Sequence, residues 1–356
     1  MVLDAQKMEV LKKEKDRILV IQTAFLGDAV LTLPMTQKLK ELNPSSIIDV
    51  LCIPATEEIF HISPSINEII VIDKKRKHKS LFSFIKFIRE IRSKGYNKIY
   101  SPHRSFRSSL LVLQSGVRET YGFSNSSFFH VYKYLTEYMS DHHEVQRNLD
   151  LIGYDYSGTG WQVLPEIKIP ENSYKKAEEF LKSKKIESDF VAIAPGSIWN
   201  TKKYPLDYYG KVIEYLIFQD FKVIIIGGKE EEEIGKTLEA KFNGNLISSA
   251  GYLTITDSIA LLKHSKMLIS NDSAPTHLGV CADIPVLTLY CSTVPDFGFY
   301  PYNNKSRWLS YSELECKPCG IHGYNECPLK HFKCGYMLEA GLVISSLKDI
   351  LNDSVR

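Results

Sequence analysis

Hydrophobic positions along the chain follow two rhythms. Short apolar runs at 17–22, 47–53, 190–194, 222–226, 267–270 and 285–290 alternate with segments at 29–42, 81–93, 173–184 and 206–219, where apolar residues return every three or four positions. The first rhythm predicts buried strands and the second amphipathic helices. Further strands are expected at 68–72, 98–101, 119–123 and 246–247, and further helices at 56–62, 105–114, 143–152, 256–263 and 340–351. Alternation of this kind predicts parallel sheets covered by helices on both faces. The rhythm lapses over 154–162 and in the proline-bounded stretch 165–170. The chain therefore divides into a polar lead 1–16, a unit 17–165, a second unit 171–335 and a C-terminal helix within 336–356 expected to pack back across the pair. A length of 356 residues agrees with two cores rather than one.

One strand runs straight into polar side chains: Leu268-Ile269-Ser270-Asn271-Asp272-Ser273-Ala274-Pro275-Thr276-His277. Ser273 suits a helix N-cap, its oxygen accepting from an N–H of the first turn, and Pro275 fits where its missing N–H costs nothing. Such a helix start can receive an anion, although an ordinary capped helix explains these ten residues equally well.

In open parallel sheets ligands bind beyond the carboxyl ends of strands. Three other loops of that kind carry unusual residues: Thr23 to Asp28, Pro195 to Pro205, and Gly227-Gly228 with the glutamates that follow. Asp28 near a helix start is either a dipole-stabilised carboxylate or a base. Ser197, Lys202 and Lys203 offer a hydroxyl and two cations for phosphate, or simply a solvated loop. The glycine fingerprint of a dinucleotide site is missing from both halves, which makes a nicotinamide dehydrogenase the weakest reading. His103, Arg104, Arg107, His142, His143 and Arg147 form a basic set in the first half, suited to an acidic ligand or to a solvated helix face.

Charge narrows the partners. Forty-four basic residues against 42 acidic ones leave a net charge of +2, without the global field of a nucleic-acid binder. No apolar run is long enough to span a bilayer, and the start of the chain is polar rather than a signal peptide. The expectation is a soluble cytoplasmic protein, peripheral at most, with the run Lys74 to Lys79 able to approach anionic lipid. Cys52, Cys281 and Cys291 lie in apolar contexts and read as small buried hydrophobes. Cys316, Cys319, Cys327 and Cys334 cluster with His322 and His331 nearby. Four thiolates can close a tetrahedral structural zinc site, but spacing alone leaves reduced thiols and a disulfide open as well.

The segment from Ile18 through Gly27-Asp28 to Leu31, then Pro195-Gly196-Ser197 with Lys202-Lys203-Tyr204-Pro205, then Asn271-Asp272-Ser273 with His277, resembles glycosyltransferase family 9, the ADP-heptose:lipopolysaccharide heptosyltransferases (heptosyltransferase II-like). The resemblance covers nearly the whole chain after Arg17. It implies a GT-B fold, two Rossmann-like doubly wound domains facing across a cleft, with the acceptor on the first and the nucleotide-sugar on the second. It implies inverting transfer of heptose from ADP-heptose to the lipopolysaccharide inner core, with no cofactor required. Asp28 would be the general base. Ser197 and Lys202 would hold the departing diphosphate, the backbone at Ser273 and Ala274 would receive phosphate, Asp272 and His277 would shape the site, and Glu231 would meet the ribose hydroxyls. Ala274 stands where the family often has glycine. Arg104, Arg107 and Arg147 would face the acceptor, lipid A bearing Kdo or a heptosylated core, at the inner membrane surface. The alternatives are a family member with another nucleotide-sugar or acceptor, and a non-catalytic nucleotide-sugar-binding protein, against which the presence of Asp28 argues.

Overall fold

A computed structural model describes residues 15–73, 76 and 80–353. Most of the lead 1–16 and most of the run 74–79 lie outside the described residues. In the first half the strands are β1 (Arg17–Ile21), β2 (Ile47–Cys52), β3 (Glu68–Val71), β4 (Lys98–Ser101), β5 (Glu119–Phe123) and β6 (Tyr134–Thr136). Its helices are α1 (Leu26–Leu42), α2 (Glu57–His61), α3 (Leu81–Ser93), α4 (Phe106–Ser115) and α5 (Glu144–Leu151). The second half has β7 (Phe190–Ala194), β8 (Lys222–Ile225), β9 (Leu246–Ser248), β10 (Leu268–Asn271), β11 (Val286–Tyr290) and β12 (Arg307–Ser310). Its helices are α6 (Glu171–Ser183), α7 (Leu206–Phe218), α8 (Glu232–Phe242), α9 (Ile255–Leu262), α10 (Ala274–Cys281), α11 (Lys333–Tyr336) and α12 (Ala340–Asp353).

Each half holds one six-stranded sheet, ordered β3-β2-β1-β4-β5-β6 and β12-β11-β10-β7-β8-β9. All pairings are parallel. Both sheets thus follow the doubly wound order, in which the winding direction reverses once. The reversal falls between β1 and β4 in the first sheet and between β7 and β10 in the second. Central strands are buried along their full length, β7 and β11 at every residue, as expected of strands covered on both faces.

Two strands were not visible in the sequence. β6 and β12 are edge strands of three and four residues whose side chains are largely exposed, so neither leaves an apolar signature and only pairing to β5 and β11 defines them. The helix expected from 29 begins earlier, at Leu26, which puts Gly27 and Asp28 inside its first turn.

The halves are packed together rather than strung apart. Helix α1 packs on α10 and α2 packs on α9. Leu31, Val145 and Leu149 share a cluster with Val280 and Tyr302. Glu58 of α2 accepts from the amides of Ile255 and Thr256, at 3.3 and 2.8 Å, at the start of α9. Burial raises that carboxyl, but the hydroxyls of Thr254 and Thr256 with these amides outweigh it and leave Glu58 below its ordinary value. The main packing partners of α12 are α7 and β12. Val343, Leu347 and Ile350 lie in the second half's core, so the terminal helix expected across both units completes this one. Among the described residues no helix is long and apolar enough to cross a membrane.

Helix α10 rests on its sheet through Gly279, where an added Cβ would press into Val286 and Leu268. Gly279→Ala should cost about 1–3 kcal/mol through overpacking, measured as a lower thermal midpoint.

Candidate active site

Both reversal points open into one cleft. Beyond β1 and β4 lie Asp28 and His103-Arg104, and beyond β7 and β10 lie Pro195 to Lys202 and Asn271 to Ser273. The two helix starts meet there. A Cβ at Gly27 would lie 3.1 Å from Cδ2 and 3.5 Å from Nε2 of His277, and 4.0 Å from Cα of Ala274. A side chain here would press on the His277 ring, so glycine suits the close approach of the first turns of α1 and α10 and lets the turn that carries Asp28 lie against the start of α10.

Asp28 is partly buried. Loss of water pushes its carboxyl up to about 7, with the nearby Glu144 carboxylate adding to the rise. Amide hydrogen bonds and the Arg104 guanidinium pull the other way and do not cancel it. Glu144 is 6% exposed and is itself raised by burial. It receives Arg147 Nη1 at 3.1 Å and Tyr138 Oη at 3.4 Å. Arg104 stacks on Tyr138, 3.8 Å from the ring centre, and Arg107 points into solvent on α4. His103 bonds Thr23 Oγ1 at 2.9 Å and Ser108 Oγ at 3.0 Å, joining the loops after β1 and β4.

Arg147, expected to face the acceptor, is 2% exposed and its guanidinium is occupied by the protein. Nε donates to Met139 O at 2.8 Å, Nη2 to Ser140 O at 2.7 Å, and Nη1 to Glu144 and, at 3.0 Å, to Phe297 O in the second half. With four of its five N–H groups held by the protein, one of them by Phe297 O of the second half, it is a strut between halves. His143 is likewise internal. Its Nδ1 accepts from Val145 N at 3.2 Å, its Nε2 meets Tyr300 O at 2.9 Å, and burial depresses it to about 3. His142 pairs with Asp150 at 2.8 Å.

On the second half, Lys202 Nζ lies 2.6 Å from Asp272 Oδ2, which also accepts Thr293 Oγ1 at 2.7 Å. Buried Asn271 fixes the loop after β7: Nδ2 donates to Pro195 O at 2.7 Å, and Oδ1 accepts Tyr204 N and Tyr209 Oη at 3.0 Å each. The Ser273 side chain does not cap α10 as expected. Its hydroxyl donates instead to the carbonyls of Gly196 and Asn271, at 3.4 and 3.3 Å. The cap position is right, but the loop after β7 competes for the hydroxyl, so no side chain covers the amides at the start of α10. Ser197, partly buried beside Gly196, accepts Trp199 N at 3.4 Å. Glu231 folds over Gly196 and Gly227, where a side chain at either glycine would collide with it, and Oε2 accepts Gly228 N at 2.9 Å. His277 is 3% exposed, Nδ1 has no hydrogen-bond partner, and burial lowers it to about 4, with Lys202 lowering it further against a raising effect from Asp272. The ring is therefore neutral near pH 7.

Sequence reasoning missed several residues here. Thr201 accepts Tyr324 N at 2.8 Å and Ser292 Oγ at 3.0 Å, and its amide donates to Tyr324 O at 3.0 Å. Gly323 sits against Thr201 and Lys202. The loop of the cysteine cluster therefore packs beside the second half's wall of the cleft, and His322 on it is lowered by burial and by the charges of Lys202 and Arg104. A hydroxyl or glycine in a loop carries no periodic signal, so only tertiary placement reveals them.

Of the alternatives that the spacing of the four cysteines left open, the structure shows free thiols. Cys334 is buried in the second core, with its thiol raised to about 11 chiefly by burial, while Cys316, Cys319 and Cys327 lie on the partly exposed loop before α11. All seven cysteines are free thiols, and among the described residues no three His, Cys, Asp or Glu side chains converge as metal ligands. Cys334 lies within electrostatic reach of Cys316, Cys319 and Cys327, so the four sulfurs share one neighbourhood. Cys52, Cys281 and Cys291 are buried, as expected of small hydrophobes.

Two doubly wound domains with their reversal points facing one cleft, an acid on one wall and a cation with an open helix start on the other, define a glycosyltransferase of the GT-B type. The chain belongs to glycosyltransferase family 9 (heptosyltransferase), whose family model matches residues 84–330. Lipopolysaccharide heptosyltransferase 2 of Escherichia coli K12 is 23% identical over 307 residues, covering 82% of this chain and 87% of the relative. The structure of a family 9 glycosyl transferase from Veillonella parvula superposes with a TM-score of 0.83 at 24% identity, covering 95% and 98% of the two chains. The Escherichia coli ADP-heptose lps heptosyltransferase II superposes with a TM-score of 0.76 at 20% identity, covering 96% of this chain and all of the other, 100%.

Removing the strut exposes its role. Arg147→Ala strands Glu144 as an unpaired buried acid and cuts the bond to Phe297, so a loss of about 3–5 kcal/mol is expected in chemical denaturation.

Proposed function

We propose that this glycosyltransferase moves heptose from ADP-heptose to the inner core of lipopolysaccharide with inversion. The observation that carries this reading is the contact of Gly27 with His277 and Ala274, which sets Asp28 beside the helix start suited to the donor diphosphate. The carboxylate of Asp28 takes the proton of the acceptor hydroxyl as its oxygen bonds to the anomeric carbon. The bond from that carbon to the β-phosphate oxygen breaks, and ADP leaves with the electron pair. Lys202 and the amides at Ser273 and Ala274 meet the growing negative charge, the part of the reaction where fixed donors contribute most. Because the chain itself supplies this cation, the reading needs no metal ion. Asp272 holds Lys202 in place, Ser197 adds a hydroxyl, neutral His277 walls the anomeric side, and Glu231 reaches the ribose hydroxyls.

The acceptor is a core oligosaccharide on lipid A, carrying Kdo or an earlier heptose, met at the cytoplasmic face of the inner membrane. Arg104 and Arg107 face its anionic groups. The names of relatives that act on lipopolysaccharide support this reading, as does the family itself.

Mass spectrometry of products from ADP-heptose and defined core acceptors tests the proposal. A mass gain of one heptose is expected; release of ADP without sugar transfer, or turnover only with another nucleotide-sugar, overturns it. Asp28→Ala should lose roughly 100- to 10,000-fold in kcat while still binding ADP, and full activity in that variant removes Asp28 as the base.

The pH profile follows from the same group. A base works only when deprotonated, so with Asp28 at about 7 the rate should rise with pH and reach half its plateau near 7. Stability should move oppositely. The folded carboxyl binds its proton more tightly than the unfolded one, so its contribution to stability falls as pH rises from 3.8 to about 7. Asp28→Asn should accordingly raise the thermal midpoint at pH 8 more than at pH 4.

A further inference from the structure

Between β12 and α11 the chain forms no helix or strand, yet one part of it is pinned against the second half's wall of the cleft. Cys319 N donates to Ser292 O at 3.1 Å, and Ser292 N donates to Thr201 O at 3.3 Å. Tyr324 exchanges two backbone contacts with Thr201, its amide donating to Oγ1 at 2.8 Å and its carbonyl accepting Thr201 N at 3.0 Å. Gly323 is buried among these contacts with φ of 81°, a left-handed conformation that glycine adopts without strain. A Cβ there would stand 3.1 Å from Thr201 Oγ1 and 3.2 Å from Cγ of Lys202. The backbone next to His322 is therefore fixed against the lysine that the donor diphosphate would meet.

His322 itself is exposed, and no hydrogen bond to its ring is made among the described residues. Partial burial, then the charges of Lys202 in the same half and Arg104 in the other, hold its imidazole below the ordinary value. A single loop residue is thus within electrostatic reach of a cation on each wall. Further out in the same surroundings, Asp272 is joined to Lys202 at 2.6 Å, Lys202 acts on buried His277, and Arg104 acts on Asp28 and Glu144.

These pairings leave the diphosphate site short of positive charge. The ammonium of Lys202 is matched by the carboxylate of Asp272, so the pair brings no net charge to a phosphate. The charge of Arg104 is opposed on its own wall by two acids. Yet the leaving diphosphate gains one further negative charge as the sugar departs, and a fixed donor is most effective where charge grows.

We propose that His322 is a donor-binding residue that takes up a proton when a nucleoside diphosphate enters the cleft and donates a hydrogen bond to its terminal phosphate. The inference rests on the donor site proposed above and names a further group in it. Two cations oppose protonation of the ring in the free protein; an anion set among Lys202, Arg104 and the imidazole reverses that balance, and the proton comes from solvent. As the bond to the sugar breaks, the hydrogen bond from the imidazolium strengthens, with the proton staying on the ring. Charged His322 favours binding, so its contribution is present below the pKa of the ring in the complex and is lost as pH rises through it.

Calorimetry of ADP binding near pH 7, in buffers of differing ionisation enthalpy, tests the proposal. The unaltered chain should take up protons on binding. His322→Gln should remove that share of the uptake and weaken ADP at least about tenfold, while His322→Lys, a permanent cation, should restore affinity without restoring uptake. Asp28 can also gain a proton when an anion binds nearby, but its share persists in both variants. His264→Gln, an exposed histidine ahead of β10 at the opposite end of the sheet, should change neither quantity. Uptake in His322→Gln equal to that of the unaltered chain, affinity in that variant within about twofold of normal, or failure of lysine to restore affinity overturns the proposal. Absence of ADP binding by the unaltered chain overturns it together with the donor reading. Uptake through His322 without heptose transfer to any acceptor keeps His322 in its role and defeats the transfer reaction instead.

Discussion

The contact between two helix starts is the constraint on which the site depends. Gly27 has no side chain, and the space that one would fill is taken by the ring of His277. Each half places a helix start at its reversal point because a doubly wound sheet leaves a crevice there. Bringing the two crevices together makes one cleft with unlike walls. Arg147, Glu58 and the shared cluster around Leu31 and Val280 hold the halves in that relation. The geometry of the cleft is thus a property of domain packing as much as of either domain.

The two walls differ in how they treat charge. On the first, acids are gathered in a poorly hydrated place, Asp28 near Glu144, and the cost appears as carboxyls raised above their ordinary range. Arg104 and Arg147 moderate it without removing it. On the second, Asp272 and Thr293 fix Lys202, and the hydroxyl of Ser273 is drawn to carbonyls, leaving the helix amides to whatever anion arrives. A carboxyl with a raised affinity for protons set opposite a lysine and uncovered helix amides is the layout that the proposed displacement of a diphosphate calls for.

Much of this was legible in the order of residues. Continuous apolar runs and helical periodicity gave both parallel sheets, since buried strands and half-buried helices leave unlike patterns. The loops after β1, β7, β8 and β10 stood out because polar residues follow apolar strands abruptly. Edge strands β6 and β12 were not legible, being short and exposed. Arginine misled at position 147: sequence shows a cation in a helix, but whether its donors meet carbonyls or a ligand depends on residues far away, Phe297 among them. The cysteines stayed undecided in the sequence, because spacing permits a tetrahedral site only if four sulfurs converge, and that depends on how Cys334, buried in the second core, meets the loop before α11.

The sequence by itself determined the elements, the two doubly wound halves and the identity of the residues at the strand ends, because these follow from local periodicity and from which residue types start a helix. Only the tertiary structure decided which strand ends face each other, that Gly27, beside Asp28, meets the start of α10, that Ser273 donates rather than caps, and that the loop of Gly323 and Tyr324 closes on Thr201. Those relations rest on contacts between residues many positions apart, and such contacts leave no mark on the pattern of any single segment.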